Sequence, residues 1–254
     1  MSHVRRGAFP AVRSFGLASF TILLMLLLLG GPARASYILT LDFAANPTLP
    51  SAQGMGFATD TGSPESTLVS IVGGNRLKLD TFQLASDKSA YYFKDNFFDH
   101  TIDLQMEVRL RILNSSFFGF SMVAYNANVS SNFVISTSGF QIYQLTSGSG
   151  YDFTSGFNTF TYKGYAASNT YEFFVNGTRV AFGARPGGYA GGNQFYFGDG
   201  TSTGGNVAAE VQYVRYSNQN FSSVPNGGEV PEPISLATWT LIAGGLMKFR
   251  RRRS

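Results

Sequence analysis

Few side chains in this 254-residue chain are equipped for chemistry. It has no cysteine and two histidines, of which only His100 lies outside the N-terminal segment. Disulfides, thiol catalysis and cysteine metal sites are excluded together, and a protein zinc site lacks ligands. A Ser-His-acid triad would have to use His100, which follows Asp99 in a Phe-Phe-Asp-His turn. No Gly-x-Ser-x-Gly leads into a helix, and Ser147 to Gly150 reads as a Ser/Gly loop. Asp103 and Glu107 are the carboxylates that share a strand face. Four residues of strand separate them by ~13 Å, whereas a pair that cleaves a glycosidic bond stands ~5 Å or roughly 6.5–9.5 Å apart. Arg109 and Arg111 fall on the same face, so a solvated charged strand is expected, and a carboxylate pair drawn from different strands stays open. Asp199, in Gly-Asp-Gly-Thr-Ser-Thr-Gly, places a carboxylate beside flexible carbonyls, the oxygen donors calcium takes. Calcium is the one cofactor candidate, against a turn aspartate that bonds its own backbone. Tyr151, Phe153 and Tyr189 stand among Gly, Ser and Asp in the stretches 145–157 and 183–192. They are candidate stacking surfaces for sugars, or equally rings folded back as lids over the core.

The elements that must position these residues are strands. Residues 101–113 alternate: Ile102, Leu104, Met106, Val108, Leu110 and Ile112 point one way, and Asp103, Gln105, Glu107, Arg109 and Arg111 the other. Residues 68–72 and 76–81 flank Gly73, Gly74 and Asn75, a hairpin signal. Within 170–182, Asn176 and Gly177 suit a type I′ turn that pairs Val175 with Thr178. That register puts Tyr171, Phe173 and Val175 on one face with Thr178, Val180 and Phe182. Further strands are expected at 37–43, 117–125, 132–136, 140–145, 194–198 and 207–216, and no amphipathic helix is evident. Many short antiparallel strands with frequent turn signals predict an all-β sandwich of about 190 residues.

The two ends read as addresses. Residues 1–16 carry Arg5, Arg6 and Arg13 with no acid, residues 17–30 are apolar, and Ala33 and Ala35 suit a signal peptidase. A secretory signal cleaved between Ala35 and Ser36 is expected. At the other end, an apolar run over 234–247 spans ~21 Å as a helix against a ~30 Å hydrocarbon core, and Lys248 and four arginines follow it. The basic end is expected to stay inside, with Pro231 and everything before it outside. These termini also account for the formal charge of +4: residues 36–224 carry 10 basic and 13 acidic residues. The body has no basic run to track a phosphate backbone, so nucleic acid is not an expected partner.

Pro231, Glu232 and Pro233, followed by the apolar helix and by Arg250, Arg251, Arg252 and Arg253, resemble a PEP-CTERM sorting signal. The resemblance implies that Pro231–Pro233 is the recognition motif of an exosortase-type enzyme, 234–247 a membrane segment before processing, and Arg250–Arg253 a retention cluster. The alternative is an ordinary anchor that is never processed. The body has a second resemblance. Tyr171-Glu-Phe-Phe-Val-Asn-Gly-Thr-Arg-Val, Phe197-Gly-Asp-Gly and Val211-Gln-Tyr-Val-Arg-Tyr are similar to the second half of a concanavalin A-like, laminin-G-like jelly roll. That family includes carbohydrate binders and glycoside hydrolases. Its hydrolases carry Glu-x-Asp-x-x-Glu on one strand, and no such string is present. The chain therefore divides into a signal peptide (1–35), a jelly-roll β-sandwich (36–224), a linker with the sorting motif (225–233), and a membrane segment with basic tail (234–254). The expected protein is exported to the envelope, outer surface or extracellular matrix, where it is non-enzymatic and binds carbohydrate or matrix polysaccharide. A structural matrix component is the runner-up, and a glycoside hydrolase comes third. Signal peptidase and an exosortase-type enzyme are the expected processing partners.

Overall fold

The computed structural model describes residues 37–84, 88–116, 118–142, 145–188, 192–200 and 205–220. The expected signal peptide with its Ala35–Ser36 cleavage, Tyr189, Pro231–Pro233, the membrane segment and Arg250–Arg253 lie outside them. Among the described residues fifteen strands follow in chain order: β1 (Leu39–Asp42), β2 (Gly56–Thr59), β3 (Val69–Val72), β4 (Arg76–Asp80) and β5 (Ala90–Asp95). Then come β6 (Leu104–Ser115), β7 (Phe120–Tyr125), β8 (Ser130–Ile135), β9 (Gly139–Ile142) and β10 (Thr146–Ser149). The series ends with β11 (Asn158–Tyr165), β12 (Thr170–Val175), β13 (Thr178–Ala184), β14 (Gln194–Asp199) and β15 (Val207–Asn218). Among the described residues helix is limited to one turn, α1 (Glu65–Leu68), and two 3-10 turns at Pro50–Gln53 and Thr81–Gln83.

The strands form two antiparallel sheets. One has eight strands in the order β13-β12-β11-β6-β15-β4-β3, with β1 also on β15; the other has seven, β10-β9-β8-β7-β14-β5-β2. The long β15 bonds β6 along one edge and shares its other edge between β4 and β1. Between the sheets lies one core. Leu104, Met106, Val108, Leu110 and Ile112 of β6 are fully buried and meet Phe120, Met122, Phe133, Ile135, Phe195 and Phe197 from the opposite sheet. The alternation of β6 is the cause, because period two sends every second residue inward.

The β12–β13 hairpin forms with Val175 opposite Thr178, and Asn176 and Gly177 take φ of 51° and 81°. The predicted face sharing stops there. Val180 is an extra residue on β13: Phe174 pairs with Arg179, but Phe173 pairs with Ala181. This bulge reverses the parity of all that follows. Phe182 therefore stands opposite Glu172 on the outer face, 72% exposed, instead of joining Tyr171 and Phe173 in the core.

Four strands outside the expected set are also present: β2, β5, β10 and β11, although β11 alternates, with Phe160 and Tyr162 buried between Thr159, Thr161 and Lys163. In β5 the run Tyr91-Tyr92-Phe93 has rings on both faces, so it lacks the apolar-polar alternation that marks a half-buried strand. Asp103 falls just before β6 and accepts the amide of Ala166 at 2.8 Å, while Glu107 pairs with Arg215 at 3.3 Å. The two carboxylates are thus held by separate structural partners.

Candidate ligand-binding face

The seven-stranded sheet carries aromatic rings outward as well as inward, and β5 and β14 supply most of them. Register fixes which residues align. One row runs Ala58, Tyr91, Gly198, Ser121, Val134, Gln141, Ser147 across the sheet. A second runs Gly56, Phe93, Tyr196, Val123, Asn132, and a third Asp95, Gln194, Tyr125, Ser130. All lie on the face opposite Tyr92, Phe195 and Phe197, which are in the core.

Four outward rings form a chain. Phe93 and Tyr91 have centroids 6.2 Å apart, Tyr91 and Tyr196 5.2 Å, and Tyr196 and Tyr125 6.3 Å with planes at 77°. Each is half-buried. Two glycines make the arrangement possible. Phe93 lies across Gly56, where any Cβ would strike the ring, and a Cβ on Gly200 would fall 2.5 Å from the Tyr196 ring. The neighbours are buried hydroxyls and amides that bond one another and the backbone: Ser121 Oγ donates to Gly198 O at 2.9 Å and accepts the Gly200 amide at 3.1 Å, and Asn132 Nδ2 donates to Ser130 Oγ at 3.1 Å. Burial raises the pKa of Tyr91, with nearby Asp60, Tyr125 and Asp95 adding to it, so its hydroxyl remains a donor at neutral pH.

The carboxylates nearest the rings are Asp60 and Asp95. Asp60 accepts the Ser89 amide at 3.0 Å and Asp95 accepts Gln194 Nε2 at 2.8 Å. Thr59 pairs with Ala90, so the length of β5 separates them, ~17 Å at strand rise. That exceeds both spacings used in glycoside hydrolysis.

The residues singled out from sequence fall elsewhere. Phe153 is 2% exposed; it packs edge-on against Phe160 at 4.9 Å and belongs to the core. Tyr151 stacks on it at 5.1 Å and 17° and touches Phe140 at 5.6 Å. Backbone bonds from Tyr151 to Ser138 O, from Phe153 to Thr137 O and from Ile112 to Phe153 O clamp this stretch between the sheets. Tyr151 and Phe153 are therefore a lid, and an exposed Phe153 stacking surface is corrected.

Asp199 is fully buried at the end of β14 and accepts the Thr81 hydroxyl at 2.5 Å. Thr81 in turn accepts the Val207 amide at 2.9 Å, so the aspartate anchors the start of β15. Calcium fits this position poorly: the one carboxylate is enclosed and engaged, and the described residues hold no cluster of three acidic or histidine groups.

His100 borders an open cleft of about 450 Å³ whose amides are engaged in bracing its own walls. Asn193 both accepts from the Phe98 amide and donates to its carbonyl, at 2.8 and 2.7 Å, and Asn218 does the same for Asp99 at 2.6 and 2.9 Å. Asn126 Oδ1 takes the amides of Asn128 and Val129, which aims its NH2 at His100 Nδ1, 2.9 Å away. Nδ1 then accepts from Asn126, and Nε2 lies 3.2 Å from Asn128 Nδ2. The imidazole positions a loop and faces amides, an arrangement unlike a triad.

No protein-family profile matches the chain, and no curated protein matches it. Solved structures similar to it include a chain named sialidase, at 13% identity and TM-score 0.49, over 72% of this chain and 19% of that one. A Bacillus licheniformis β-glucanase is similar at 13% identity and TM-score 0.47, over 71% of this chain and 98% of that one. The carbohydrate recognition domain of Emp47p is similar at 12% identity and TM-score 0.48, over 75% and 100%.

Proposed function

We propose that this protein is an exported, non-enzymatic β-sandwich of concanavalin A-like type that binds a neutral polysaccharide on the outer face of its seven-stranded sheet. The carrying observation is the chain of four half-buried rings, Phe93, Tyr91, Tyr196 and Tyr125, set among uncharged hydroxyls and amides. Sugars present apolar C–H faces ringed by hydroxyls. An aromatic strip flanked by the partly exposed Gln141 and Gln194 matches both parts, with no ion to desolvate at its centre, while Ser121, Ser130 and Asn132 beside it are buried. Asp60 and Asp95, ~17 Å apart, favour binding over hydrolysis.

The address is read from the termini: export by signal peptidase, then sorting by an exosortase-type enzyme to the outer surface or matrix. Titrating the purified full-length protein with neutral polysaccharides tests the activity. Saturable binding that weakens about tenfold or more in both Tyr91→Ala and Tyr196→Ala supports it. A folded protein that binds none of them overturns it and leaves a structural matrix component. For the address, Glu232→Ala in the producing cells should leave the protein uncleaved in the membrane fraction. Normal release of that variant would refute exosortase sorting.

A further inference from the structure

The stretch after β13 crosses from one sheet to the other. Arg185 N bonds Asn169 O at 2.9 Å, Ser130 N of β8 bonds Pro186 O at 3.2 Å, Gly187 bridges Val129, and Gly188 N bonds Asn128 O at 3.0 Å. Arg185 turns inward from this stitch and is 4% exposed. Its Nε donates to Ser131 Oγ at 3.2 Å, and its guanidinium lies 5.6 Å from the centre of the Phe98 ring. Gly164 makes room: a Cβ there would stand 3.2 Å from Nε.

The guanidinium is incompletely matched. Nη2 is buried without a hydrogen-bond partner, and so is the hydroxyl of Tyr162, itself fully buried. The phenol approaches both the guanidinium and the Ser131 hydroxyl, without either contact reaching full hydrogen-bond geometry. No carboxylate lies within 4 Å of Arg185 among the described residues, although Asp103 acts on it from farther away. Burial draws the Arg185 pKa below its ordinary value, against the pull of Tyr162 and Asp103. Nη2 can only donate, and the phenol, which can donate or accept, completes no bond with it. The missing partner is an acceptor, and the local charge is positive. A water would satisfy the donors but leave the cation without a close counter-charge.

We infer that a small monovalent inorganic anion binds between Arg185 and Tyr162 and fastens the β13–β8 crossover in a chain that has no disulfide. The anion accepts from Nη2 and from the phenol, and it neutralises the guanidinium where no side chain does so closely.

Chloride is the probe. The full-length protein is melted at constant ionic strength while chloride replaces gluconate from 1 to 100 mM, and the midpoint should rise saturably by about 3 °C. Crystals soaked in bromide should show an anomalous peak within contact of Arg185 Nη2 and Tyr162 Oη. Arg185→Met should abolish the halide response, and Tyr162→Phe, which keeps the ring, should raise the half-saturating chloride about fivefold. The inference falls if chloride and gluconate give the same midpoint, if the crystals show water alone at the site, or if Arg185→Met retains the response.

Discussion

At the scale of single residues, each aromatic ring acquires its role from the face it occupies. Phe153 and Tyr196 are both rings in polar company, yet one is core and the other outward. Phe153→Ala should therefore cost about 3–5 kcal/mol in denaturant unfolding, the usual loss for a buried phenylalanine, while leaving glycan titration unchanged per folded molecule. Tyr196→Ala should do the reverse, weakening binding with a small effect on stability. Asp199 makes a similar point. Its sequence setting offers oxygen ligands, but the fold encloses it under Thr81, so its carboxylate serves the β14–β15 connection.

At the scale of elements, bulges and missed strands decide what is displayed. The Asn176-Gly177 turn and its register were legible because a type I′ turn needs positive φ at two residues and these two types supply it. The bulge at Val180 was not, because nothing in Thr178-Arg-Val-Ala-Phe marks which residue loses its partner. Phe182 is thereby left on the surface beside Arg179, whose guanidinium sits 5.2 Å from its ring. Phe182→Ser should change unfolding free energy by no more than about 0.5 kcal/mol; a loss near 3 kcal/mol would mean that it is core. Two further bulges, at Leu113 of β6 and Gln212 of β15, shift the central pairing, and Gln212 Oε1 is placed to accept from Arg109 Nε at 2.7 Å. The outward rings of β5 escaped notice for a related reason: a strand apolar on both faces has no period-two signature.

At the scale of the molecule, the two outer faces differ. On the eight-stranded sheet Glu210 is shared by Arg76 and Arg111 at 3.1 and 3.2 Å, Glu107 pairs with Arg215 at 3.3 Å, and Glu172 with Arg179 at 2.6 Å. The seven-stranded sheet shows half-buried rings and the amides of Gln141 and Gln194, beside buried Ser121, Ser130 and Asn132. An ion-paired face holds its charges on itself, which leaves the uncharged aromatic face as the one suited to a neutral glycan. The core adds a pH limit. Burial raises the pKa values of Tyr92, Tyr162 and Tyr216 well above the ordinary phenol value of about 10, and for Tyr92 the Glu65 carboxylate, 2.6 Å from its hydroxyl, adds to this. A folded-state pKa above the unfolded one contributes stability that is complete below pH ~10 and is lost as pH climbs beyond it. Melting temperature should hold to about pH 10 and fall steeply above; a flat profile through pH 11.5 would contradict this.

By itself the sequence determined the all-β class, the core-facing residues of β6, the β12–β13 turn and the absence of thiol chemistry, because these follow from residue type and short spacing. The expected termini are likewise matters of local composition. Only the tertiary structure decided that Phe153 is core, that Asp199 is enclosed, that Phe93, Tyr91, Tyr196 and Tyr125 form one strip, and that Arg185 is buried beside Tyr162. Those facts depend on partners far apart in the chain: Tyr91 meets Tyr196, and Arg185 meets Ser131, only after two sheets have chosen their strand order and register. Local periodicity specifies which way a side chain points, whereas pairing across a sheet specifies what it meets.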